Sequence, residues 1–143
     1  APGDLRLLVT RQHAPGAKAA KPFAVLYRPK LKGFTGQSTV LNSPTGKESF
    51  DSIEVLENIG LEYRKTGTGF TALVSIPLDI IGLNLTSGQT VQMDVGCLYG
   101  NATGTLVAAR SYWSNHSFSA NVVNDVPNES RLEPAQWGKA TVE

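Results

Sequence analysis

The chain of 143 residues is long enough for a single domain and carries a net charge of only +1. Charged residues make up 17% of it, against about 25% in an average globular protein, and Ala/Glu/Lys/Leu-rich heptads are absent, which argues against a coiled coil. One cysteine excludes an internal disulfide framework, and no apolar run is long enough to span a bilayer. We therefore expect strands and turns, with no membrane insertion.

Alternation of apolar and polar residues predicts short strands separated by turn residues. In chain order the predicted strands cover residues 4–10, 23–28, 38–41, 50–59, 61–65, 70–76, 90–99, 105–113 and 139–142. A short helix is the alternative for 50–59, where alternation favours a strand. The glycines of 66–69 (TGTG) predict a hairpin turn. Single helical turns are predicted at 78–83, where one would cap the core, and at 134–137. This spacing indicates an all-β fold, specifically an antiparallel β-sandwich of jelly-roll type with few or no helices.

The strand periodicity also predicts which side chains form the core. The expected core consists of Leu5, Leu7, Val9, Val25, Phe70, Ala72, Val74, Ile76, Val91, Met93 and Val95. Cys97 continues the last of these rows and is expected to be a small buried hydrophobe.

Basic residues are concentrated in the first 32 positions, which hold seven Lys or Arg and one acid, Asp4. Such an arm can bind nucleic acid. These charges, however, are spread singly along strands and loops with little aromatic interleaving, so a solvated sheet edge is expected and no nucleic-acid partner.

The stretch from 106 to 126 joins a strand to an indole, an Arg and several amides. Trp113 can stack on the apolar face of a sugar ring, and Arg110, Asn115 and Asn124 can bond hydroxyl groups. We expect a binding surface formed by these four residues. In the alternative interpretation Trp113 packs under the loop and Arg110 forms a salt bridge.

The sequence contains no catalytic motif. Its two histidines, His13 and His116, lie outside an HExxH pattern, and no GxSxG pattern occurs. Ser114 and His116 are close in sequence, but a triad also requires an orienting acid and an oxyanion hole. We expect no enzymatic activity.

The order of segments from Phe70 to Gly138 resembles the family 9 carbohydrate-binding modules, or DOMON-like domains, of large secreted bacterial proteins of planctomycete type. The segments are IPLDIIGL at 76–83, SGQTVQMDVGCLYG at 87–100, ARSYWSN at 109–115 and VNDVPNESRLEPAQWG at 123–138. The earlier run GDLRLLVT…KPFAVLYRPK resembles the middle of such a module. The family's opening DGxLxDW-like segment has no counterpart in residues 1–143.

The resemblance implies one β-sandwich carbohydrate-binding-like domain over 1–143 that lacks the module's N-terminal strands. It would be secreted or at the cell surface, with a periplasmic location also open, and would bind glycan without catalysis. A second aromatic would come from the missing part or from another protein chain. Family members often carry structural calcium, for which Asp125 is the candidate ligand, although a turn cap formed by Asn124 and Asp125 is the alternative.

Two further interpretations stay open. The domain is a structural β-sandwich subunit that docks in a larger complex, or it is an electron-transfer module whose haem is bound through Met93. The second follows from the DOMON-like resemblance alone, since packing is the usual role of a Met in an apolar strand.

Overall fold

The computed structural model describes residues 1–12, 15–44, 46–116, 127 and 130–143. Its described strands are β1 (Arg6–Gln12), β2 (Lys21–Arg28), β3 (Thr39–Ser43), β4 (Gly46–Phe50), β5 (Ser52–Leu56), β6 (Gly60–Lys65), β7 (Phe70–Ser75), β8 (Thr90–Met93), β9 (Gly96–Gly100), β10 (Val107–Tyr112) and β11 (Gly138–Thr141). A 3₁₀ turn spans Pro134–Gln136, as predicted. The described part contains no helix long and apolar enough to cross a membrane.

The strand pairing confirms the predicted all-β antiparallel class. Strands β1, β2 and β5 form one three-stranded sheet, and two-stranded ladders join β3 with β4, β6 with β7, β8 with β11 and β9 with β10. The chain divides into two compact units, Ala1–Thr39 with Phe50–Asn84 and Val40–Ser49 with Leu85–Glu143. A sandwich arrangement is compatible with these ladders and, like the single domain over 1–143, stays a prediction.

The first unit holds an apolar core on one face of the three-stranded sheet. Strand β2 is central, and its Ala24 and Leu26 are completely buried. Leu26 pairs with Leu7 of β1, and Leu5, Leu7 and Val9 pack against the cluster as predicted. The turn at 78–83 places Ile81 in the same cluster, which confirms that this turn caps the core.

Of the eleven predicted core residues, five are exposed and the other six are half-buried rather than fully buried. Val25 lies on β2 between the buried Ala24 and Leu26, and therefore faces the other side of the sheet. Phe70, Ala72 and Val74 lie on one face of β7 and are exposed. Met93 and Val95 are 38% and 58% exposed in the second unit.

The predicted strand at 90–99 is two strands with different partners. The structure breaks it after Met93, where the Asp94 carboxylate accepts a hydrogen bond from the N–H of Val95. β8 then pairs with β11, and β9 pairs with β10. The predicted strand at 50–59 is likewise interrupted at Asp51, and β4, which ends at Phe50, was not predicted as a strand of its own.

Most of the buried residues described in the second unit carry polar side chains. The buried ones are Arg110, Asn115, Pro127 and Ser130, of which only Pro127 is apolar.

Candidate binding site around Trp113

Trp113 follows the last residue of β10 and presents an exposed indole ring. Its backbone N–H donates to the Val95 carbonyl at 2.8 Å, which fixes the chain at the point where β10 ends. The side chain is 54% exposed. An ideal Cβ added to Gly138 would lie 2.8 Å from Trp113 Cζ3 and 2.9 Å from Cη2. The outer edge of the ring therefore lies directly against the start of β11, at a position that only glycine leaves open.

Asp94 anchors the chain on the C-terminal side of Trp113. Its Oδ1 accepts the backbone N–H of Ser114 at 2.8 Å, and its Oδ2 accepts the backbone N–H of Asn115 at 3.0 Å. Hydrogen bonds to a charged acceptor are stronger than neutral ones. One carboxylate thus holds both residues that follow the indole, together with the N–H of Val95 at 2.9 Å.

The side chains of Ser114 and Asn115 attach this segment to the region of the 3₁₀ turn. Ser114 Oγ donates to the carbonyl of Gln136 at 2.9 Å. Asn115 Nδ2 donates to Glu133 Oε2 at 2.7 Å, and Asn115 is only 5% exposed. We call Asp94, Ser114, Asn115, Glu133 and Gln136 the Asp94 network. It holds the backbone beside Trp113 from two sides.

The surface next to the indole combines apolar side chains with the Ser114 hydroxyl. Met93 pairs with Gly138 across the β8–β11 ladder, and Val91 pairs with Ala140. Directly opposite residues of an antiparallel pair project from the same face, so Met93 emerges on the face that the Trp113 ring covers at Gly138. We call Trp113, Met93 and the backbone of Gly138 the Trp113 platform.

The predicted site residues differ in their exposure to solvent. Trp113 is exposed, whereas Arg110 is 6% exposed on β10 and the Asn115 amide is engaged with Glu133. Asn124 and Asp125 lie outside the described residues, so their predicted roles stay predictions.

Sequence reasoning did not identify Asp94, Glu133 and Gly138 as parts of the site. The sequence does show an acid between the apolar residues Met93 and Val95, and a glycine directly after Trp137. Neither pattern, however, indicates a contact with Trp113.

The predicted calcium ligand, Asp125, lies outside the described residues, so the calcium site stays a prediction. Groups of three or more His, Cys, Asp or Glu that could hold a metal ion are absent from the described residues. A haem iron is held by axial protein ligands in a pocket, whereas Met93 is 38% exposed on a two-stranded ladder and its partner position, Gly138, faces the Trp113 ring. The surroundings of Met93 therefore do not fit a haem.

Strand β9 carries the single cysteine beside a tyrosine. Cys97 is half-buried rather than fully buried as predicted, and Tyr99 is 42% exposed. The negative charge of a Cys97 thiolate and a hydrogen bond with Cys97 raise the pKa of the Tyr99 phenol above its ordinary value of 10.0.

No protein-family model, no curated protein and no solved structure matches the chain. The resemblance to family 9 carbohydrate-binding modules therefore stays a prediction, and the proposals that follow depend on the geometry of the described residues.

Proposed function

We propose that the protein is a non-catalytic carbohydrate-binding module of a secreted or cell-surface protein, and that a sugar ring stacks on Trp113. The observation that carries this proposal is the exposed indole of Trp113, with its outer edge against Gly138 and its backbone held by Asp94. A large aromatic surface left in water is unusual for a side chain whose only role is packing.

The chemistry of a pyranose suits such a platform. One face of the ring presents C–H groups and the rim carries hydroxyls, so the indole covers the apolar face without desolvating the rim. The segment beside the ring is already ordered by the Asp94 network, and a surface ordered before binding loses less conformational entropy when the ligand arrives.

Polar contacts to the hydroxyls require exposed donors and acceptors near the ring. Asn115 is buried and bonded to Glu133, which leaves it a positioning role. Gln136 is exposed. Its backbone carbonyl accepts a hydrogen bond from the Ser114 hydroxyl, which places the residue close to Trp113. We therefore assign hydroxyl binding to Gln136, with Asn124 retained from the sequence prediction.

Calorimetry with a panel of neutral oligosaccharides tests the proposal. The wild-type protein is expected to bind at least one member, and Trp113→Ala to weaken that binding at least about tenfold, which is about 1.4 kcal/mol. Phe34→Ala is the matched control, because Phe34 is an exposed aromatic of the first unit, 36% exposed. Binding that survives Trp113→Ala unchanged would eliminate this site, and the absence of any binding would eliminate the function.

A second function, docking in a larger protein complex, is favoured by exposed hydrophobic residues on one face of β9. Val95, directly before β9, and Tyr99 share a face because they are an even number of positions apart, and they are 58% and 42% exposed. Exposed apolar side chains that share a face are typical of interaction surfaces. Native mass spectrometry of the protein isolated from its source discriminates the two functions, since docking predicts a partner chain of defined mass and stoichiometry and no affinity for sugars.

A further inference from the structure

The β6–β7 hairpin of the first unit is exposed on both faces. One face carries Tyr63 and Phe70, whose ring centroids are 5.2 Å apart, and the other carries Glu62, Arg64 and Leu73. Within the described part of the chain, this ladder has two strands only. Two-stranded hairpins are marginally stable in water and gain stability from additional strands.

The hydrogen-bonding phase of the hairpin shows which backbone groups of β6 point outward. The N–H of Thr66 donates to the carbonyl of Gly69 at 2.9 Å, which makes these two a hydrogen-bonded pair. Alternate pairs in an antiparallel ladder are hydrogen-bonded, so Glu62 and Arg64 direct their backbone groups toward β7 and Tyr63 directs its groups away. The carbonyl of Leu61 accepts a hydrogen bond from Arg11 Nη2 at 2.8 Å. This is independent evidence that the backbone groups of Leu61, like those of Tyr63, point away from β7.

We propose that the outer edge of β6 pairs antiparallel with β6 of a second copy of this chain, with the two-fold axis passing beside Tyr63. In this register the N–H and C=O of Tyr63 exchange hydrogen bonds with those of the same residue in the second copy. Glu62 then lies opposite Arg64 of the second copy, and Arg64 opposite its Glu62. The result is a continuous four-stranded sheet in the order β7, β6, β6, β7.

Charge complementarity is what identifies the occupant as a second copy. The motif Glu62-Tyr63-Arg64 is self-complementary about its centre, so one two-fold contact creates two ion pairs at once. These pairs occupy non-hydrogen-bonded positions, where opposing side chains approach most closely. The bond from Arg11 to Leu61 does not prevent the contact, because a carbonyl oxygen can accept two hydrogen bonds.

The opposite edge of the hairpin lacks this specificity. Strand β7 reads FTALVS and contains no charged residue, so its outer edge offers no ion pair that would select one register. Charged side chains of one sign on an edge strand oppose pairing, whereas the opposite signs of Glu62 and Arg64, two positions apart on β6, favour pairing with an identical strand. The dimer therefore forms through β6.

Sedimentation velocity over a range of concentrations at low salt tests the proposal by charge exchange. The wild-type chain is expected to dimerise reversibly. Arg64→Glu is expected to raise the dimer Kd at least about tenfold, because both ion pairs become repulsive. The double variant Glu62→Arg, Arg64→Glu restores complementarity and should dimerise within about threefold of wild type. Lys32→Glu, in an exposed loop, is the control with the same change in charge.

Circular dichroism shows whether each variant is folded. If Arg64→Glu is unfolded, the double variant still tests the charge pairing. A wild-type chain that stays monomeric at the highest concentration would overturn the proposal. So would an Arg64→Glu variant that dimerises as tightly as the Lys32→Glu control, or a folded double variant that stays monomeric.

Discussion

The loss of Asp94 is expected to destabilise the protein more than the loss of any ordinary surface carboxylate. In Asp94→Ala the N–H groups of Ser114 and Asn115 lose charged acceptors at 2.8 Å and 3.0 Å. Each hydrogen bond to a charged group contributes about 1.5–3 kcal/mol, but Asp94 is half-buried and water can reach the freed groups in part. We therefore expect a loss of about 2–3 kcal/mol, which lowers Tm by about 5–10 °C.

Urea unfolding followed by circular dichroism measures this effect. Asp79→Ala is the matched control, since Asp79 is an exposed carboxylate and the change in side chain is identical. The variant Asp94→Asn should fall between wild type and Asp94→Ala, because one amide oxygen remains to accept a hydrogen bond. A stability of Asp94→Ala equal to that of the control would refute the role assigned to the Asp94 network.

Two further predictions concern the platform and acid stability. Gly138→Ala places a Cβ within 3.0 Å of the Trp113 ring and should displace it, which shifts the tryptophan fluorescence and weakens sugar binding; Gly67→Ala, with open space around it, should change neither. Hydrogen bonds from the Leu31 N–H and the Ser38 hydroxyl hold the pKa of Asp51 below its ordinary value of 3.8. That stabilisation is full above the ordinary pKa and is lost as pH falls through the lowered folded value, so Asp51→Asn should destabilise the protein more at about pH 5 than at about pH 3 in urea unfolding; an equal loss at both would contradict it.

Local patterns predicted the strands well where turn chemistry and alternation agree. The TGTG turn and the strands on either side of it specify the β6–β7 hairpin within one residue. Alternation shows that Phe70 and Val74 share a face, but it does not show whether anything covers that face. Both side chains are exposed, at 39% and 41%.

The candidate site could be predicted only in part because its geometry depends on contacts distant in sequence. Asp94 accepts hydrogen bonds from residues 20 and 21 positions later in the chain. The alternation of apolar and polar residues that predicts one strand over 90–99 contains no information about such distant contacts. Arg110 and Asn115 are of residue types that usually face water, so their burial by tertiary contacts was not predictable from composition. Trp113 was identified because a large aromatic next to polar residues is a local signal.

The central claim is that a sugar stacks on Trp113, and NMR titration tests it most directly. The chain has two tryptophans, so ¹⁵N labelling gives two indole N–H signals, one from Trp113 and one from Trp137. Addition of a bound oligosaccharide should shift the Trp113 signal strongly, while the signal of Trp137, which is half-buried, changes little. A sugar that binds and shifts only the Trp137 signal, or neither signal, would contradict the account.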